Sequence, residues 1–224
     1  MALSSDTPPQ TFVFYDTEGT GLPMEGDLPK FTELSFLAVS RKELTERDKS
    51  PRILNKLTLT FNPKKQLTSS AKTLSGLTNE LLESSATFSE QVPMVISFLK
   101  GLPQPVCLVA HSGNKFDFPL LVRHLEDAGR SVQDLPSVVC ADSFPAFKAL
   151  HPMRSYKLGN IYKQVCGGHL QGLHSAENDC KMLKDIVHTM GSDTLIRWFS
   201  VKAKPLSFFK CPPEDFCSRF TGYI

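Results

Sequence analysis

The stretch Phe12-Val13-Phe14-Tyr15-Asp16-Thr17-Glu18-Gly19-Thr20-Gly21-Leu22-Pro23 decides how the chain is read. Its apolar and aromatic run has the composition of a strand buried on both faces. The run ends on two carboxylates one residue apart, and the glycines and proline beyond them stop a strand. Side chains at i and i+2 of a strand share a face, so Asp16 and Glu18 project together. Two anions held side by side repel each other and ask for a cation; hard oxygen ligands suit Mg²⁺ or Mn²⁺. A solvated strand end is the plainer alternative for a D-x-E taken alone.

The 224 residues suffice for one domain of ordinary size, and 41% hydrophobic residues can fill a core. A net charge of +2 excludes a polybasic nucleic-acid coat, although gripping a few terminal nucleotides needs only a local basic rim. The six cysteines are scattered with no C-x-x-C pair, as expected of a reduced intracellular protein, cytoplasmic or nuclear. The first ten residues have neither a basic region nor an apolar run, so the expectation is a flexible N-terminus and no secretion signal. No apolar window approaches a membrane span, and a soluble chain is expected.

Beyond the first strand, residues 33–39 read as a second strand, 41–52 as a charged solvated connection, and 53–61 as a half-buried strand alternating Leu57, Leu59 and Phe61. These form an antiparallel meander. Residues 68–82 read as a helical turn, a break at Gly76 and a new N-cap at Thr78. A helix over 88–99 and a buried strand over 106–110 follow. Next come a helix from about Asn114 to Ala128, a short strand over 138–141 and a helix opened by Asp142-Ser143. Helices are expected over 156–165, from an N-cap at Ser175 to about Met190, and over 193–202. Strands first and then alternating helices and strands predict an α/β fold. Its central sheet is mixed, an antiparallel meander then parallel strands, with helices on both faces.

Asp16, Glu18, Asp117 and Asp179 stand out by context: two end a buried strand, and two lie in the first turns of helices after Gly-containing loops. His174 sits in the loop before the last of these, and a loop-borne His beside carboxylates is suited to activating water. Four carboxylates with one unligated His match two-metal phosphodiester hydrolysis, one ion acidifying the attacking water and the other stabilising the leaving oxygen. His111, which follows a buried strand, reads as structural, and Asp142 and Glu177 read as partners of helix dipoles.

The blocks D-T-E-G-T-G, H-S-G-N-K-F-D-F-P-L-L and H-S-A-E-N-D resemble the three motifs of the DEDDh 3′→5′ exonucleases. Intervening blocks extend the similarity to the three-prime repair exonuclease branch over about residues 11–205: Leu74-Ser75-Gly76-Leu77, Cys107-Leu108-Val109-Ala110-His111 and Ser155-Tyr156-Lys157-Leu158-Gly159-Asn160-Ile161-Tyr162. The resemblance implies a ribonuclease H-like exonuclease domain over 11–205. It implies two Mg²⁺ ions held by Asp16, Glu18, Asp117 and Asp179, with Mn²⁺ able to substitute, and His174 as general base. It assigns Gly19, Thr20 and Leu22 to the terminal nucleotide, with Leu22 as an apolar wedge and Leu74 packing on a neighbouring base. Lys115, Phe116 and His174 would help hold the scissile phosphate and the 3′ end. Leu22 and Leu74 also fit ordinary packing. The implied activity is release of nucleoside monophosphates from DNA 3′ ends, single-stranded or frayed. An exoribonuclease of the same type and a non-catalytic nucleic-acid-end binding protein remain as alternatives. The resemblance further implies a homodimer paired through the strand at residues 57–61. Some members of the family carry a Pro-rich insertion and a C-terminal membrane helix; neither is read in these 224 residues, and a compact, soluble member is the expectation. Its Phe-rich tail over 206–224 is expected to pack on the core.

Overall fold

The structure is a computed structural model that describes residues 7–24, 27–46, 48–168 and 174–210. In chain order it comprises β1 (Thr11–Gly19), β2 (Phe31–Ser40), α1 (Arg41–Thr45), β3 (Asn55–Thr60), α2 (Ser69–Ser75), α3 (Asn79–Leu82) and α4 (Phe88–Lys100). Then follow β4 (Val106–Ala110), α5 (Asp117–Asp127), β5 (Val138–Asp142), α6 (Ser143–Leu150), α7 (Leu158–Cys166), α8 (Ala176–Thr189), α9 (Ser192–Lys202) and β6 (Lys204–Pro205). The strands form one open sheet in the order β3-β2-β1-β4-β5-β6. The first three run antiparallel, as a meander should, and β4 and β5 lie parallel to β1. The expected mixed α/β architecture is present.

β1 is central, and its alternation divides the core. Val13 and Tyr15 point into one layer, closed by Phe88, Val92, Val95 and Leu99 of α4 and by Phe118, Leu121 and Leu125 of α5. Phe12 and Phe14 point into the other, closed by Phe147 of α6, Ile161 of α7, Leu183 and Ile186 of α8 and Phe199 of α9. All four strand residues are fully buried. At about 25 cal/mol per Å² of apolar surface, such residues dominate the stabilisation, so β1 is held stiffly from both sides.

Local signals and tertiary contacts together set the ends of the elements. Thr78 caps α3, and Gly76 closes α2 in the left-handed conformation (φ +72°), as expected. The charged connection after β2 differs from expectation. It opens with α1, whose Glu43 N–H donates to the Ser40 hydroxyl at 3.1 Å while Leu44 is buried. The helix expected from Asn114 begins at Asp117 instead. Ser112 adopts a positive φ of 65°, and the Asp142 carboxylate accepts the Ser112 N–H at 2.9 Å and the Asn114 N–H at 3.0 Å. That tether keeps residues 112–116 out of helical geometry. Ser175 stands at the N-cap of α8 without accepting a side-chain cap bond. At the far edge, β6 pairs antiparallel with β5, a strand the sequence pattern did not announce. After it Leu206 and Phe209 are buried and Phe208 is exposed; the tail beyond Lys210, with Phe216 and Phe220, lies outside the described residues.

Gly113 is a close-approach position, because a methyl group there would sit 2.6 Å from the Ala110 Cβ and 2.8 Å from a ring carbon of Phe118. We expect Gly113→Ala to destabilise the fold by about 1–3 kcal/mol, the usual range for overpacking. Thermal unfolding by circular dichroism measures it, and an unchanged Tm would mean the loop is looser than its contacts indicate.

Candidate active site

The strand alternation that buries Phe12 and Phe14 carries Asp16 and Glu18 to the same face, towards α8. Thr17 points the other way, and its hydroxyl donates to Asp117 Oδ1 at 2.9 Å. The Tyr15 hydroxyl donates to the Asp117 carbonyl at 3.3 Å. Asp117, 4% exposed, is the first residue of α5, where the helix dipole favours an anion. Asp179 lies in the first turn of α8, also at the favourable end. His174, two residues before α8, is exposed and holds a left-handed backbone (φ +67°) that non-glycine residues seldom adopt.

Residues far apart in the chain thus come together. Ligand atoms of Glu18, His174 and Asp179 lie within 4.8 Å of one another, a spacing one cation could bridge. Asp179 Oδ1 is buried without a hydrogen-bond partner, the state expected of an oxygen meant for an ion. Burial pushes every one of the carboxyl groups up, and at Asp16 and Glu18 repulsion from the others adds to it. Asp16 is held well above the carboxylate range by burial and then by Asp117, Asp179, Glu18 and Glu33. Glu18 is pushed up to about 8 and Asp179 to about 6. Asp117 is pushed up to about 7 although the Thr17 hydroxyl works against the shift. These residues fit a divalent cation: hard oxygen donors, an orphaned buried oxygen, and charges in need of neutralisation.

The other nominated residues take up different positions. Gly19 ends β1, with a Phe116 ring carbon 3.6 Å from where its Cβ would be, so the Phe116 ring lies over it. Thr20 is buried, and its hydroxyl accepts the Lys30 N–H at 3.0 Å. Leu22 is 75% exposed on the loop after β1, and Leu74 is 52% exposed on α2. The start of α2 is fixed beside that loop: the Thr68 N–H donates to the Thr20 carbonyl at 2.9 Å, and Gly21 leaves no room for a Cβ against Thr68. Lys115 and Phe116 are half-buried immediately before Asp117. His111 is structural, bonding the Ser143 hydroxyl and the Tyr156 carbonyl, each at 2.8 Å. Asp142 caps α6, while Glu177 is held down to about 2 by Lys181 and Lys56. Sequence reasoning passed over Glu33, the register partner of Glu18 on β2. A lone carboxylate opening an otherwise apolar strand was the available signal.

A family model described as Exonuclease matches residues 13–187. Three-prime repair exonuclease 1 of Bos taurus is 36% identical over 225 residues, spanning 91% of this chain and 70% of the relative. Three prime repair exonuclease 2 of Homo sapiens is 34% identical over 229 residues, spanning 92% and 95%. The chain belongs to the three-prime repair exonuclease family. It is a 3′→5′ exonuclease, and its fold is shared with a divalent-metal-dependent group, the DEDDh enzymes. Among solved structures, the fold matches the nuclease domain of 3′hExo, a DEDDh family member bound to rAMP, with a TM-score of 0.67 at 15% identity over 84% of this chain and 94% of that one. It also matches the zinc-bound E. coli ExoI–ssDNA complex, with a TM-score of 0.70 at 12% identity over 84% and 42%. Among the described residues no helix is long and apolar enough to cross a membrane.

The raised carboxyl groups have a consequence for stability. Each holds its proton more tightly folded than unfolded, where it titrates near the ordinary value of about 4. The folded state therefore binds more protons, and the metal-free protein loses stability as pH rises from about 4 through the folded values, which reach about 8 at Glu18. Buried His124, pushed down to about 4, acts in the opposite sense: its contribution is lost as pH falls from its unfolded value of about 6.5. Between pH 6.5 and 8.5, about the window where the carboxylates dominate, we expect the Tm in EDTA to fall and Mg²⁺ to restore it, more strongly at the higher pH. Asp16→Asn should raise the Tm in EDTA at pH 8 and reduce the Mg²⁺ response. A flat Tm in EDTA across this window would contradict the electrostatic account.

Proposed function

We propose that the chain is a 3′→5′ exodeoxyribonuclease that releases nucleoside monophosphates from single-stranded or frayed DNA 3′ ends. Asp16, Glu18, Asp117 and Asp179 would hold two Mg²⁺ ions, for which Mn²⁺ can substitute. When bound, the ions supply an acidified water and neutralise charge developing on the phosphate. The observation that carries the reading is the meeting of all three motif blocks at the end of β1: Glu18, His174 and Asp179 in one cluster, and Asp117 tied to Thr17.

In this reading His174 takes the proton from the attacking water. Its exposure gives it access to solvent, and Asp179, beside it, steadies the imidazolium that forms. Leu22 and Leu74 grip terminal bases through apolar contact, which suits an enzyme that must accept every sequence. Gly19, packed beneath the Phe116 ring, and Thr20, which holds the loop through Lys30, shape the backbone that meets the terminal nucleotide. Phe116 and Lys115, just ahead of Asp117, hold the 3′ end and the scissile phosphate. DNA rather than RNA is favoured by the 34–36% identity to three-prime repair exonucleases. An exoribonuclease is the second reading, favoured by the fold match to 3′hExo bound to rAMP at lower identity.

The same reading includes a homodimer joined along β3, which lies at the sheet edge. A light-scattering mass near one chain would remove that part. A cytoplasmic or nuclear location accords with the four described cysteines, all unpaired.

Three predictions test this reading. On 5′-labelled DNA and RNA oligonucleotides in Mg²⁺, we expect a descending ladder that EDTA abolishes and that runs faster on DNA. Asp179→Asn and His174→Ala should each slow it by about a thousandfold or more with an unchanged circular-dichroism spectrum; near-normal rates in either would refute the assignment. Leu22→Ala and Leu74→Ala should raise KM about tenfold, the scale of losing one base contact, and leave thermal unfolding unchanged. An unaltered KM would return both residues to ordinary surface roles.

A further inference from the structure

We propose that Glu33 is a positioning residue of this centre, setting Asp179 and His174 at once through a single hydrogen bond. Its carboxylate Oε2 accepts the backbone N–H of Ala176 at 2.9 Å. Ala176 is the first residue of α8, two residues after His174 and three before Asp179. Ser175 leaves this helix end without a side-chain cap, so a carboxylate reaching across from β2 takes over that duty.

The origin of this contact is rigid. Glu33 lies on β2, paired with β1 on one side, where it faces Glu18, and with β3 on the other, where it faces Thr60. The next two residues, Leu34 and Ser35, are fully buried. A second contact to the same strand comes one residue beyond Asp179, where the Cys180 thiol donates to the Ser35 carbonyl at 3.4 Å. Asp179 is thus bracketed by two fastenings to β2; its carboxylate also accepts the His174 backbone N–H, which links the two residues, and its Oδ1 is left for the ion. Glu177 of this turn also reaches β3, through an ion pair with Lys56 at 3.0 Å that is exposed on the lysine side and therefore weak, and through a long hydrogen bond from the Thr58 hydroxyl at 3.4 Å. The Glu33 bond also fixes where the chain leaves the left-handed turn at His174, and so the direction of the imidazole.

A fifth carboxylate beside four others adds to their repulsion, so packing alone would favour a neutral residue here. What the position requires is an acceptor at the right reach. Glu33→Gln keeps the acceptor and the length, and Glu33→Ala removes both. The inference rests on the proposed roles of Asp179 and His174, and those are tested separately by Asp179→Asn.

The experiment compares kcat, KM and half-saturating Mg²⁺ on a 5′-labelled single-stranded oligonucleotide for wild type, Glu33→Ala, Glu33→Gln and Ile186→Ala. Ile186, fully buried on the distal half of α8, reports plain destabilisation. Expected for Glu33→Ala are a fall in kcat of about 30-fold, a several-fold rise in half-saturating Mg²⁺ and a KM within about threefold. Glu33→Gln should keep kcat within about threefold of wild type, and Ile186→Ala should lose Tm while keeping kcat. The proposal is overturned if Glu33→Ala keeps its kcat, if Glu33→Gln is as impaired as Glu33→Ala, or if Ile186→Ala loses kcat in step with its Tm. An active Asp179→Asn would instead overturn the reading beneath it.

Discussion

Carboxyl groups taken out of water hold their protons more tightly, and at the end of β1 burial raises Asp16, Glu18, Asp117 and Asp179 alike, with repulsion from neighbouring carboxylates, Glu33 among them, adding to it at Asp16, Glu18 and Asp179. A chain would discard such an arrangement if stability alone mattered, since burying an uncompensated charge costs several kcal/mol. The surrounding structure can be understood as what is needed to hold these groups together against their repulsion. β1 is clamped between two apolar layers, and the helices α5 and α8 each direct the positive end of a dipole at the cluster.

The topology makes the meeting point available. β1 and β4 run parallel and end on the same side of the sheet, so the loop after β4 delivers Asp117 to the place where β1 delivers Asp16 and Glu18. In open α/β sheets the carboxyl ends of parallel strands are the usual location of a site, because strand-to-helix loops and helix N-termini collect there. α8 arrives from much later in the chain. It needs a separate anchor, and β2, the antiparallel neighbour of β1, provides one through Glu33 and Ser35. The meander and the parallel strands therefore divide the work, one half holding Asp179 and the other Asp117.

Much of this was legible in the sequence because it is locally encoded. The apolar run of β1, the continuous apolar β4 and the Thr78–Gly76 punctuation depend on a few adjacent residues, and each stands where the pattern set it. The misses share a different cause. The late start of α5 depends on Asp142, some 28 residues away, pulling the backbone at Asn114 out of helical geometry. The missing cap at Ser175 depends on Glu33, 143 residues upstream of Ala176. Only α1 was announced locally, by Ser40 three residues ahead of Glu43, and was obscured by the charge of the segment. Local rules locate the elements; carboxylates reaching between elements decide how the functional residues are presented.

The near-neutral surface bears on how such a site would find its substrate. With a net charge of only +2, general attraction to a polyanion contributes little, and affinity must come from contacts at the end of the strand. Exposed leucines are a costly way to fill a surface, yet Leu22 and Leu74 stand out in water beside the residues that lead to the cluster. Apolar contact with a base is indifferent to its identity, whereas hydrogen bonds to its edges would discriminate. On the proposed reading, such contacts would register the presence of a 3′ terminus and not its sequence.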